Sequence, residues 1–142
     1  MPSSDPGHIG RREIERANGE VVRRIYEQGY TQGDEAVFPA SYAEDFVHHG
    51  KTADDPDISG APGQVASMRR FREVMPDVRF EVHHLLADGD MVAVRLVITG
   101  TPLERFGPVE PNGERQQIHA MALFRLRDVK AAEEWFFTDP VA

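Results

Sequence analysis

Residues 75–101 read MPDVRFEVHHLLADGDMVAVRLVITGT, and this stretch decides the fold. Val78, Phe80, Val82, His84 and Leu86 alternate with Arg79, Glu81, His83 and Leu85, the period-two pattern of a strand with one buried face. Asp88, Gly89 and Asp90 then form a tight turn that reverses the chain. Met91 to Thr101 is almost continuously apolar apart from Arg95, which predicts a second strand covered on both faces. Ahead of the hairpin, Pro76 pushes Met75 out of the helical region, so a helix ends there.

That helix is expected over Gly63 to Met75, with Val65, Met68, Phe71 and Val74 or Met75 on one stripe. Further upstream, Gly50 to Pro62 has no apolar periodicity and reads as a mobile loop or pocket lid. Ala43 to His49 reads as a short strand, and Glu35 to Tyr42 as a short helix capped by Asp34 and curtailed by Pro39. Ile14, Ala17, Val21, Ile25 and Tyr26 recur at steps of three and four, so a first helix is expected from about Arg11 to Gln28, with Gly29 as its stop. Met1 to Gly10 is polar and rich in Pro, Gly and Ser; it reads as a flexible leader, leaving a single domain over 11–142. Downstream, Gly100 to Glu114 is a long connection, and Gln116–Leu126 and Ala131–Thr138 are the last two strands, joined across Arg127 to Lys130. Three helices followed by a run of strands give an α+β class, with helices on one side of a mostly antiparallel sheet.

Composition narrows the function. With 142 residues and a net charge of −8, the chain repels phosphate backbones and anionic membranes, so neither nucleic acid nor membrane is expected as a partner. The absence of cysteine excludes thiolate catalysis and disulfides. No signal-like or membrane-spanning apolar run is present, which predicts a cytoplasmic protein.

Several segments in this order resemble the SnoaL-like polyketide cyclases, a branch of the nuclear-transport-factor-2 and ketosteroid-isomerase superfamily. They are Gln32-Gly33-Asp34, Asp45 to His49, Met75 to Val78, Asp88 to Arg95, Thr99 to Thr101, Phe106-Gly107 to Gly113, and Glu134-Trp135 to Asp139. The resemblance implies a cone-shaped, cystatin-like fold whose curved sheet encloses one apolar pocket, and a homodimer formed through that sheet. It also implies aldol-type cyclisation of an apolar or aromatic small molecule, or related isomerase, dehydratase or hydroxylase chemistry, with no metal or organic cofactor. Pro102, Val129 and the loop from Asp54 to Gly63 depart from the family pattern.

Proton abstraction from carbon needs a carboxylate in an apolar setting and a donor for the enolate oxygen. The family match carries the base onto Glu133, and the Gln-x-His pair that holds the enolate onto Gln117 and His119. If the reversal at Asp128, Val129 and Lys130 is a three-residue loop, Arg125 lies opposite Glu133, and His119 and Glu133 share a face. A two-residue turn separates them and favours Glu134. Glu133 beside Glu134 could instead be an exposed charged pair, and His119 a core or interface residue. Trp135 and Phe137 share Glu133's face and would wall the pocket; Met121 is a further lining residue. His49 is expected at the pocket mouth, Tyr26 as a phenol donating inward, and Arg95 as an oxyanion support or a cross-sheet ion-pair partner. His48–His49 and His83–His84 cannot chelate as adjacent pairs, since neighbours on a strand point to opposite faces. The competing reading is a non-catalytic ligand-binding or dimerisation module of the same fold.

Overall fold

The computed structural model describes residues 6–49, 60–107 and 109–139, with side chains from residue 10 onward. Its elements are helix α1 (Pro6–Arg24), a π-helical turn (Ile25–Tyr30), helix α2 (Val37–Ser41), strand β1 (Tyr42–His49) and helix α3 (Gly60–Val74). Strands β2 (Arg79–Asp88), β3 (Met91–Gly100), β4 (Gln116–Arg127) and β5 (Lys130–Thr138) complete the chain. The five strands form one open sheet in the order β1-β5-β4-β3-β2, antiparallel except where β1 runs parallel to β5. This is the expected α+β class, with helices on one face.

α1 is already helical at Pro6, the first described residue, five residues ahead of the expected Arg11. Residues 6–10 of the expected leader are therefore helical, and 1–5 lie outside the described residues. Gly29 does not stop the helix. It sits inside the π-helical turn, where a Cβ would stand 3.0 Å from the Phe38 ring, so its role is close packing. The stop falls at Gly33, whose φ of +74° only glycine takes at little cost. α3 is already helical at Gly60, the first described residue after 49 and three residues ahead of the expected Gly63. The expected lid lies outside the described residues as far as 59.

One strand departs from its expected register. β2 pairs Val82 with Leu96 but His84 with Arg95, so His83 is an extra residue. This bulge exchanges the two faces beyond it: Leu85 turns inward, while His84 and Leu86, expected on the apolar side, are exposed. The core between sheet and helices is rich in rings. Tyr26, Tyr30, Phe38, Tyr42, Phe46, Phe80 and Phe124 are all buried, and Tyr30 stands 4.8 Å from Phe80 by ring centroid. These rings belong to one continuous apolar core between sheet and helices.

The β4–β5 turn has two residues, Asp128 and Val129, at φ 53° and 60°. Arg127 pairs with Lys130 and Leu126 with Ala131, but Arg125 pairs with Glu133, leaving Ala132 as an extra residue. A β-branched residue in the left-handed region is strained by about 1–2 kcal/mol. The half-buried valine side chain offsets part of that strain through the apolar surface it covers. Val129→Gly should therefore raise stability by about 1 kcal/mol in chemical denaturation. A fall would show that the valine's burial outweighs its backbone strain.

Candidate active site

β4 displays its two faces plainly. Ile118, Ala120, Ala122, Phe124 and Leu126 are buried, whereas Gln117, His119, Met121, Leu123 and Arg125 face outward and are exposed. Because Arg125 pairs with Glu133, the outer face of β5 carries Glu133, Trp135 and Phe137. The expected pairing of Arg125 with Glu133, and the shared face of Glu133 and His119, are both present. A two-residue turn plus a bulge produces them, rather than a three-residue loop.

That shared face is the solvent side, which corrects the expected pocket placement. Glu133 accepts from Arg125 Nε at 3.2 Å and lies 3.0 Å from His49 Nε2, and its side chain is 34% exposed. His49 stacks on Trp135 at 4.9 Å between centroids. Arg125 continues to Asp90 at 3.1 Å, so these residues form a surface network. Phe137 and Met121 are largely exposed rather than pocket walls, and Gln117 is exposed too. Arg95 also points to the outer side, between inward-facing Val94 and Leu96, and its Nη1 is buried with no hydrogen-bond partner. The physical reason is alternation: a face that carries Gln117, His119 and Arg125 is the face in water.

The adjacent carboxylate is inside. Glu134 is 4% exposed, and the Tyr26 hydroxyl donates to its Oε2 at 2.8 Å. His48 Nε2 lies 3.6 Å from Glu134 Oε1, across the parallel pairing of β1 with β5. Two His–Glu pairs therefore sit back to back on the same two strands, His48–Glu134 within and His49–Glu133 without. Tyr26 is the sequence-predicted residue that points inward as expected. Burial, and then the charge of Glu134, push its phenol well above the ordinary tyrosine range, so it stays protonated and can only donate to the carboxylate. Tyr42 is raised likewise, chiefly by burial and then by Tyr30 and Glu134. Nearby, the Tyr30 hydroxyl donates to Gln64 Oε1 at 3.0 Å, and the buried Gln64 Nε2 has no partner.

Tyr42 and Gln64 were not singled out from sequence, and His48 was weighed only as half of a chelating pair. For His48 a signal existed: it lies two residues beyond Phe46, so it shares that residue's buried face. Among the described residues, no group of three or more His, Cys, Asp or Glu side chains could hold a metal ion. No helix is long and apolar enough to cross a membrane.

Two clefts bear on the site, and Glu134 lines neither. The larger, about 660 Å³, lies between the start of α1 and the β2–β3 and β4–β5 turns. The smaller, about 360 Å³, is on the outer side beside Glu133, Arg125 and Asp45.

The fold has relatives among solved structures. A candidate polyketide cyclase from Bacillus cereus aligns at 26% identity over 87% of this chain and 74% of its own, with a TM-score of 0.73. A candidate SnoaL-like polyketide cyclase from Jannaschia aligns at 25% identity over 98% of this chain and 92% of its own, with a TM-score of 0.73. AclR, a candidate hydroxylase from Streptomyces galilaeus, aligns at 25% over 92% of this chain and 81% of its own, with a TM-score of 0.68. No curated protein matches the chain. The family model for SnoaL-like polyketide cyclases matches residues 20–142, which takes in everything from the last five residues of α1 through both His–Glu pairs, and the chain belongs to that family.

Proposed function

We propose that this chain is a cofactor-independent enzyme of the polyketide-cyclase type in which Glu134, not Glu133, transfers the proton. The observation that carries this reading is the 2.8 Å hydrogen bond from Tyr26 to a carboxylate that is 4% exposed. A buried carboxylate costs free energy unless it is partnered, so one held in a ring-lined interior is a candidate for chemistry. In an aldol cyclisation, Glu134 would take a proton from the activated carbon, leaving its electron pair as an enolate. The enolate carbon would attack a carbonyl of the same molecule, and Glu134 would return the proton to the new alkoxide. Tyr26, His48 and the unpartnered Gln64 Nε2 are the groups that could donate to the oxygen anions. Rings beside Glu134, Phe124 among them, would have to yield to admit substrate.

A second reading, a binding or dimerisation module, is favoured by the outer face. Met121 and Phe137 are cross-strand partners exposed at 55% and 63%, and Leu123 beside them is 38% exposed. A contiguous apolar face of this kind suits a second copy of the chain meeting it by two-fold symmetry.

Three measurements separate these readings. In a mass-shift screen of aromatic polyketide methyl esters, Glu134→Gln should lower turnover by at least about a hundredfold, while Glu133→Gln changes it by less than about threefold. The opposite ranking would return the role to Glu133. In a phenolate absorbance titration, Tyr26 and Tyr42 should remain un-ionised at pH 10, near the ordinary phenol value, and ionise only as the chain unfolds. Because their folded pKa values are raised, the stability they contribute is intact below about pH 10 and declines above it as the unfolded phenols ionise first. Reversible ionisation of about half of all three tyrosines in the folded protein at pH 10, as ordinary phenols would show, would remove Tyr26 as a fixed donor. Finally, Met121→Glu combined with Phe137→Glu should convert a dimer to a monomer in sedimentation; an unchanged mass would exclude this face as the interface.

A further inference from the structure

We propose that the cleft between α1 and the two hairpin turns binds a small molecule with an apolar body and a neutral or cationic hydrogen-bond donor. Ile14, Leu126 and Val129 give it apolar walls, and its volume of about 660 Å³ falls in the range of small-molecule sites. Asn18 lines it while only 2% exposed, and the buried Asn18 Oδ1 has no hydrogen-bond partner. An orphaned buried carbonyl costs about 1–3 kcal/mol, which a ligand hydroxyl or N–H would recover if the Asn18 amide turns its Oδ1 to the cleft it lines. Asp90 and Asp128 stand at the lining as well, and the one cation there among the described residues, Arg11, is already held by Glu15 at 3.4 Å and Asp88 at 2.8 Å. An anionic head is therefore disfavoured, and a donor is favoured.

The cleft lies end-on to the buried carboxylate. Asn18, Val22 and Tyr26 follow one another at four-residue spacing on one face of the first helix and its π-helical continuation, and Leu126 and Phe124 follow on the inner face of β4. Val22 and Phe124, both 0% exposed, stand between the cleft and the Tyr26–Glu134 pair. The proposal thus deepens the reading of Glu134 by naming a substrate class, and rests on it only for the direction in which a substrate would travel.

The test uses 2-naphthol, naphthalene and 2-naphthoate as probes, with binding followed by nuclear magnetic resonance on the full chain. 2-Naphthol should bind at least tenfold more tightly than naphthalene, 2-naphthoate more weakly than either, and the Asn18 side-chain amide signals should shift on 2-naphthol addition. Asn18→Leu should erase the advantage of the hydroxyl; the wild-type amide shift decides the matter if that variant does not fold. Equal affinity for 2-naphthol and naphthalene, a preference for the anion, or shifts that leave Asn18 untouched would overturn the proposal. No turnover is measured, so failure here leaves the Glu134 assignment standing, and failure of Glu134→Gln leaves this one standing.

Discussion

A single hydrogen bond, from the Tyr26 hydroxyl to the Glu134 carboxylate, ties the first helix to the last strand inside the core, and the rest of the architecture has to accommodate it. A glutamate that is 4% exposed is tolerable only with partners, since an isolated buried carboxylate loses its hydration without recompense. Supplying them requires three separate pieces of local structure. The widened turn over Ile25–Tyr30 follows directly on α1 and carries Tyr26, the parallel β1–β5 pairing sets His48 beside Glu134, and the Ala132 bulge determines which of two adjacent glutamates enters.

The bulge matters most because side-chain direction on a strand has a period of two. With a two-residue turn and no bulge, Glu134 would face water and Glu133 the core. The extra residue restores the parity that a three-residue loop would have given. It also leaves Ala131 and Ala132 both buried, small enough to sit side by side where the ladder is irregular. On the outer side the same register aligns Glu133 with Arg125 and His49, a network whose solvent exposure limits its worth to stability.

The class of fold was legible because its evidence is distributed: the alternation of β2, the Asp88–Asp90 turn and the helical spacing before it are each local and mutually consistent. The limits of β3, β4 and β5 followed closely from the same patterns. What escaped were features that depend on a one-residue offset. Nothing in Val82-His83-His84 announces an extra residue, yet it moves His84 and Leu86 into water. The face of the expected site residues differs for a related reason. The resemblance carried roles onto Gln117, His119 and Glu133, while the composition of β4 already assigned that face to solvent, with Arg125 on it and Ala120, Ala122 and Phe124 on the other. His48 could have been found by counting two from Phe46. Gln64 could not, because its partner Tyr30 is 34 residues away.

The central claim is that the two neighbouring glutamates of β5 live in different media. It can be tested without a substrate, by assigning the side-chain carboxyl carbons of Glu133 and Glu134 in labelled protein and adding a soluble paramagnetic agent. The account predicts that the Glu133 signal broadens while the Glu134 signal persists and shifts in Tyr26→Phe. Broadening of Glu134 with preservation of Glu133 would contradict it.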